Sequence, residues 1–76
     1  MNKLRRQQIA EIISQLEELA SKIEELQYEE QEYFDNMPES FQYTERGEKA
    51  ENAIDEMQNA IDGIGDIISN LESASE

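Results

Sequence analysis

Apolar residues recur every seven positions through the first half of the chain, which is the pattern of a helix that packs along one side. Three heptad columns are apolar: Ile9, Leu16 and Ile23 at position a; Ile12, Leu19, Leu26 and Tyr33 at d; Ile13, Ala20 and Phe34 at e. These columns predict a first helix over about residues 3 to 35.

The second half of the chain has a heptad of its own. Its apolar columns are Ile54, Ile61 and Ile68 at a, Ala50, Met57, Ile64 and Leu71 at d, and Ala53, Ala60, Ile67 and Ala74 at g. We expect a second helix over about residues 44 to 72, with Thr44 as an N-cap whose hydroxyl accepts from an amide of the first turn. Pro38 disfavours helical geometry at Met37, so about residues 36 to 43 form the turn between the helices.

Two helices joined by so short a turn must be antiparallel. The heptads then place each a residue of one helix opposite a d residue of the other, in six layers that run from Ile9 against Leu71 to Leu26 against Ile54. The sequence therefore predicts an all-α fold in one domain, residues 1 to 76. This fold is an antiparallel two-helix coiled-coil hairpin, and we expect two hairpins to pair into a four-helix bundle.

The same register gives a structural meaning to the glycines. It sets Gly47 opposite Tyr33, where the missing side chain leaves room for the aromatic ring. It sets Gly65 beside Ile13, where glycine relieves crowding between the helices. Gly63 falls at an outer position, where it marks a kink or a close contact with a partner.

Charge is the most unusual bulk property of the chain. Nineteen acids against six bases give a net charge of −13, and Lys3, Arg5 and Arg6 crowd the N-terminus. From residue 7 onward three bases and nineteen acids leave a net charge of −16. Such a surface repels nucleic acid and anionic membranes and attracts basic proteins. With no long apolar run and no signal-peptide pattern, we expect a cytoplasmic protein with no membrane contact and no direct contact with nucleic acid.

The chain contains neither cysteine nor histidine. This removes disulfides, the commonest metal ligand and the usual acid–base group at neutral pH. We therefore expect no catalytic residue, no metal site and no cofactor, and we do not expect an enzyme. A core of this size is marginal, so association with a partner is the expected source of further stability.

Acidic residues follow the outer surfaces of both predicted helices and form what we call the acidic ridge. Its members are Glu11, Glu17, Glu18, Glu24, Glu25, Glu32, Asp55 and Asp62. One interpretation is a solvated face that serves only solubility. The other is a surface that binds a basic or nucleic-acid-binding protein, because −16 along helices of about 45 Å approaches the charge spacing of one DNA strand, about 3.4 Å. The sequence leaves both interpretations open.

Small apolar residues occupy the flanks of the predicted hairpin. Ile13 and Ala20 are expected on one flank, and Ala53, Ala60 and Ile67 on the other. Either long side chains cover these columns, or a second hairpin docks there to form a homo-oligomer, with a dimer as the simplest case.

All five aromatic residues lie between positions 28 and 43: Tyr28, Tyr33, Phe34, Phe41 and Tyr43. A cap on the end of the hairpin core explains most of them. Tyr28 falls at an outer position, where it cannot cap the core, and exposed aromatic residues are frequent binding hot spots. Tyr28 with Phe41 or Tyr43 is therefore a second candidate contact, at the turn end of the hairpin.

The segment around the turn resembles a family. The residues Phe34 to Ser40 read F-D-N-M-P-E-S and the residues Thr44 to Ala53 read T-E-R-G-E-K-A-E-N-A. This pattern is similar to one that joins two helices in small acidic helical-hairpin proteins of phages and mobile elements of Gram-positive bacteria. The resemblance implies a non-enzymatic phage-type accessory protein directed against a host or defence protein. The alternative is a structural or assembly module whose acidic surface serves only solubility.

Overall fold

The protein, described by a computed structural model of all residues Met1–Glu76, is built from two long helices and one short one. Helix α1 spans Lys3–Asp35, α2 spans Glu39–Gln42 and α3 spans Glu45–Ala74. Helices α1 and α3 pack against each other, and the molecule is a rod of 58 × 15 × 12 Å. The two long packed helices expected from the heptads are confirmed, whereas the short α2 inside the turn was not predicted.

Side chains at the helix ends fix where each helix begins and stops. The Asn2 side chain caps α1 by accepting from the Arg5 amide at 2.8 Å. Thr44 occupies the N-cap of α3, but its hydroxyl donates to the Phe41 carbonyl at 2.6 Å and makes no bond to the first turn of α3. The role of the Thr44 hydroxyl was therefore predicted wrongly, since it fastens α2 to the start of α3.

Two polar contacts show that α1 and α3 run in opposite directions. Near the chain ends the Arg6 guanidinium donates to the Ser75 carbonyl at 3.1 Å. Closer to the turn the Gln27 amide donates to the Ile54 carbonyl at 3.2 Å and to the Gln58 side chain at 3.0 Å. The chain is thus an antiparallel hairpin.

Helix α1 turns a different face to α3 from the one that the heptad predicted. Its a and e columns are half-buried, and these include Ile9, Leu16, Ile23, Ile13, Ala20, Gln27 and Phe34. Its d column, Ile12, Leu19, Leu26 and Tyr33, is between 45% and 57% exposed. The buried stripe is therefore rotated by about 50° around the axis of α1. Gln27 of the e column, next to the predicted partner Leu26, makes the hydrogen bond to the Ile54 carbonyl.

The turn supplies a physical reason for this rotation. The Gln42 side chain in α2 donates to the Phe34 carbonyl at 3.1 Å, and Phe34 is half-buried. Phe34 belongs to the e column, so the turn is fastened to that side of α1. Helix α3 then meets the e column, while its own face is the predicted one, with Ala50 buried and Met57 half-buried at d.

Few side chains are fully removed from solvent in the single hairpin. Only Gly47 and Ala50 are buried, and no residue larger than alanine is. Hydrophobic stabilisation scales with the apolar area removed from water, so the contact between α1 and α3 gains little from any one residue. The hairpin has a seam between two helices rather than a core.

The three glycines have different surroundings. A Cβ atom on Gly47 would overlap the backbone of Gln42, at 2.5 Å from its carbonyl carbon. The space at Gly47 therefore accommodates the backbone of the turn rather than the Tyr33 ring. At Gly63 and Gly65 nothing lies within 4 Å of an added Cβ, so the expectation that Gly65 relieves crowding against Ile13 is wrong.

We expect Gly47→Ala to destabilise the hairpin, by about 1–3 kcal/mol, because the backbone of Gln42 must move to admit the methyl group. Gly65→Ala is the matched control. It should stabilise the hairpin by up to about 1 kcal/mol, because alanine is the better helix former and meets no other atom. Urea unfolding followed by circular dichroism measures both changes. A more stable Gly47→Ala variant would contradict the close packing of the turn.

Candidate protein-binding surfaces

The two long helices place acidic residues of the ridge in two groups. Glu11, Glu18, Glu25 and Glu32 form one column along α1, which we call the back row because it points away from α3. The other group, called the acidic side, combines Glu17 and Glu24 of α1 with Asp55 and Asp62 of α3, and Glu48, which is outside the ridge as defined, lies in the same column of α3. All of these residues are exposed.

The acidic side is built around a shallow cleft between the helices. Glu24 and Gln27 of α1 line this cleft together with Asp55 and Gln58 of α3. Gln58 donates to the Asp62 carboxylate at 3.0 Å, one turn further along α3. Glu17 lies one heptad before Glu24, so the antiparallel packing brings it to the same side as Asp62. The structure thus joins acidic residues that lie far apart in the sequence, such as Glu24 and Asp55.

Cations neutralise almost none of this charge. The molecule has two ion pairs, Lys22 with Glu18 at 4.0 Å and Lys49 with Glu45 at 3.3 Å, and both are on exposed side chains. Exposed pairs of this kind contribute little to stability. Neither pair includes a residue of the acidic side. Its carboxylates are therefore free to interact with a cationic partner.

The opposite side of the hairpin is apolar. At the turn end, Tyr33 of α1 and Arg46 of α3 line a common cleft with the charged residues Glu30, Glu45 and Lys49, so the d column of α1 and the g column of α3 are neighbours there. We call these two columns the apolar side: Ile12, Leu19, Leu26 and Tyr33 of α1 with Ala53, Ala60 and Ile67 of α3. The hairpin is therefore amphipathic as a whole, with acids on one side and exposed apolar residues on the other.

The structure separates the residues that the sequence assigned to self-association. Ala60 and Ile67 are exposed and Ala53 is half-buried on the apolar side, in agreement with a free flank. Ile13 and Ala20 are half-buried in the e column that meets α3, so they do not form a second free flank. The exposed d column of α1 was missed, because an ideal heptad assigns it to the hairpin interior.

Two of the aromatic residues near the turn, Tyr28 and Phe41, line different clefts. Tyr28, Phe41 and Tyr43 are all exposed. Tyr28 lies at the acidic cleft, whereas Phe41 borders a separate cleft with Tyr33 and Arg46. Hydrogen bonding to the Glu32 carboxylate one turn away, and then its negative charge, raise the pKa of the Tyr28 phenol. The predicted pairing of Tyr28 with Phe41 or Tyr43 thus has no common cleft to support it.

No protein-family model, curated protein or solved structure matches the chain. Neither long helix has an apolar stretch that could cross a membrane. No three carboxylates come together in a way that could hold a metal ion. Any functional assignment therefore depends on the two sides of the hairpin themselves.

We expect added salt to stabilise the hairpin. Raising NaCl from about 20 mM to about 500 mM shortens the Debye length from about 20 Å to about 4 Å, which screens the repulsion among the unpaired acids. The midpoint of urea unfolding should therefore increase. A variant with Glu17→Gln, Glu24→Gln, Asp55→Asn and Asp62→Asn should respond less to salt. An equal response of both proteins would show that the acidic side carries no repulsive strain.

Proposed function

We propose that the chain is a non-enzymatic, acidic protein-binding module, an inhibitor or modulator of a host or defence protein. The observation that carries this proposal is the acidic side, where unpaired carboxylates of two helices share one cleft. The turn segment from Phe34 to Ala53, with its resemblance to phage-type hairpins, adds the biological setting. The proposed place of action is the cytoplasm of a host cell.

The expected partner is a basic protein, and a nucleic-acid-binding protein fits best. A rod of 58 Å with a net charge of −13 attracts a cationic surface from a distance and speeds the encounter. Carboxylates recur along each column of the acidic side at about 10.5 Å, wider than successive phosphates. Mimicry of nucleic acid therefore rests on the total charge and the length of the rod rather than on phosphate spacing.

A second candidate function is assembly, in which the acidic surface serves only solubility. The specific observation in its favour is the lack of any buried side chain larger than alanine. A hairpin of this kind gains stability by pairing into a four-helix bundle, and a homodimer is the simplest such arrangement. The two functions are compatible, since a bundle can carry acidic sides on its outside.

The two candidates predict different results when charge is removed from one surface. The acidic-side variant carries Glu17→Gln, Glu24→Gln, Asp55→Asn and Asp62→Asn. The matched control removes the same number of charges from the back row by changing Glu11, Glu18, Glu25 and Glu32 to glutamine. We expect immobilised wild-type protein and the control to capture the same basic protein from a Gram-positive host lysate. The acidic-side variant should retain about a tenth of it or less.

Mass spectrometry identifies the captured protein, and double-stranded DNA added as a competitor tests mimicry. Release of the protein by DNA is expected if both occupy one binding site. Equal capture by the two variants would argue against the acidic side as the binding surface. A purified oligomer that captures no basic protein would favour the assembly function instead.

A further inference from the structure

The proposed binding of a basic protein through the acidic side assigns no role to the apolar side. Ile12, Leu19 and Leu26 are each close to half-exposed in one straight column of α1. Consecutive members of this column are about 10.5 Å apart, so with Tyr33 it extends over about 30 Å. An exposed apolar surface of this length in a strongly charged protein marks a site of association.

The excess of exposed surface over that of a compact monomer is close to the area that a dimer interface buries on each partner. The hairpin has 5744 Å² of accessible surface at 8.8 kDa. A compact monomer of this mass exposes about 4,800 Å², so the hairpin exposes about 1,000 Å² more. A standard interface buries about 800 Å² on each partner. If a second copy covers one long side of the rod, the accessible surface area of each chain therefore falls to about that of a compact protein of the same mass.

The two columns of the apolar side are complementary to each other in size. The column on α1 carries large residues such as Leu19 and Leu26, and the column on α3 carries Ala53 and Ala60. In a dimer with a two-fold axis the same patch meets itself. Large residues of one copy can then pack over small residues of the other, as knobs fit into holes.

Gly63 lies on the same side. It lies three residues after Ala60 and four before Ile67, so these three residues are neighbours on the surface of α3. Nothing within the hairpin approaches the position of its missing Cβ. A glycine inside a helix costs about 1 kcal/mol relative to alanine, and the single chain offers no compensation at this position. Close approach of another helix would supply one.

The distribution of charge is compatible with a second copy at the apolar side. Lys22 and Glu29 border the apolar side, and Arg46 ends the g column of α3 near the turn, so both signs of charge occur there. When two hairpins meet through this side, their acidic sides face away from each other. Pairing through the acidic side or the back row would instead bring carboxylates together and would be opposed by charge repulsion.

We infer that the apolar side binds a second copy of this chain. The interface consists of the d column of α1 and the g column of α3, and Ile13 and Ala20 are not part of it. This inference rests on the association of hairpins proposed above and assigns it to one surface. The product is a four-helix bundle with one acidic side on each outer face.

Sedimentation of the full chain with two double variants tests this surface. Leu19→Gln with Leu26→Gln should weaken association by about 100-fold or more, because each bundle loses four buried leucines. The matched control, Leu4→Gln with Tyr28→Gln, removes residues that are 63% and 65% exposed elsewhere on α1. The control should associate like the wild type. Glutamine is chosen because it preserves helix propensity.

Disulfide trapping provides a measurement that does not depend on the stability of those variants. The chain has no cysteine, so single-cysteine variants report one position each. We expect Leu19→Cys mixed with Ala60→Cys to form a mixed disulfide under mild oxidation, since both lie near the middle of the apolar side. Glu17→Cys mixed with Asp62→Cys occupies the acidic side at a similar height and should form little.

The outcomes test the assigned surface and the association of two hairpins separately. A folded wild-type monomer at about 100 µM would overturn the proposed bundle together with this inference, and another protein would then be the occupant. A stable wild-type dimer that Leu19→Gln with Leu26→Gln leaves intact would overturn only the assigned surface. Trapping of the Glu17→Cys and Asp62→Cys pair at the higher yield would do the same.

Discussion

The seam between α1 and α3 determines which residues of the molecule are available for binding. Helix α1 meets α3 with its a and e columns, and this choice leaves Leu19 and Leu26 in solvent. The same rotation directs the Glu18 column away from α3. A rotation of α1 by about 50°, half the angle between consecutive residues of a helix, thus gives the hairpin an acidic side and an apolar side.

Much of the fold follows from the sequence, because the 3.6-residue period of a helix is a strong local signal. The heptads and Pro38 predicted two long helices and the turn between them. They did not predict the rotation of α1, which depends on Gln42 in the turn and on Gln27, a polar residue at a position that a heptad expects to be apolar. Side-chain hydrogen bonds across the hairpin are tertiary information that no periodicity contains.

The sequence identified the acids of the ridge. It did not predict their division into the back row and the acidic side. Glu24 and Asp55 share a cleft only because the antiparallel packing sets their columns on one side. Ala60 and Ile67 were expected at a flank and are exposed there, whereas Ile13 and Ala20 were expected to be free and are half-buried. Surfaces that combine two helices depend on the rotation of each helix about its axis. A small error in that rotation therefore changes which residues belong to each surface.

The lack of any buried side chain larger than alanine has a consequence for the amount of protein in a cell. If the folded state requires a second copy, its population depends on concentration by mass action. Newly made chains at low abundance would then remain mostly open to proteases. Above a threshold of expression the same chains would persist, so that the protein accumulates abruptly rather than in proportion to its synthesis.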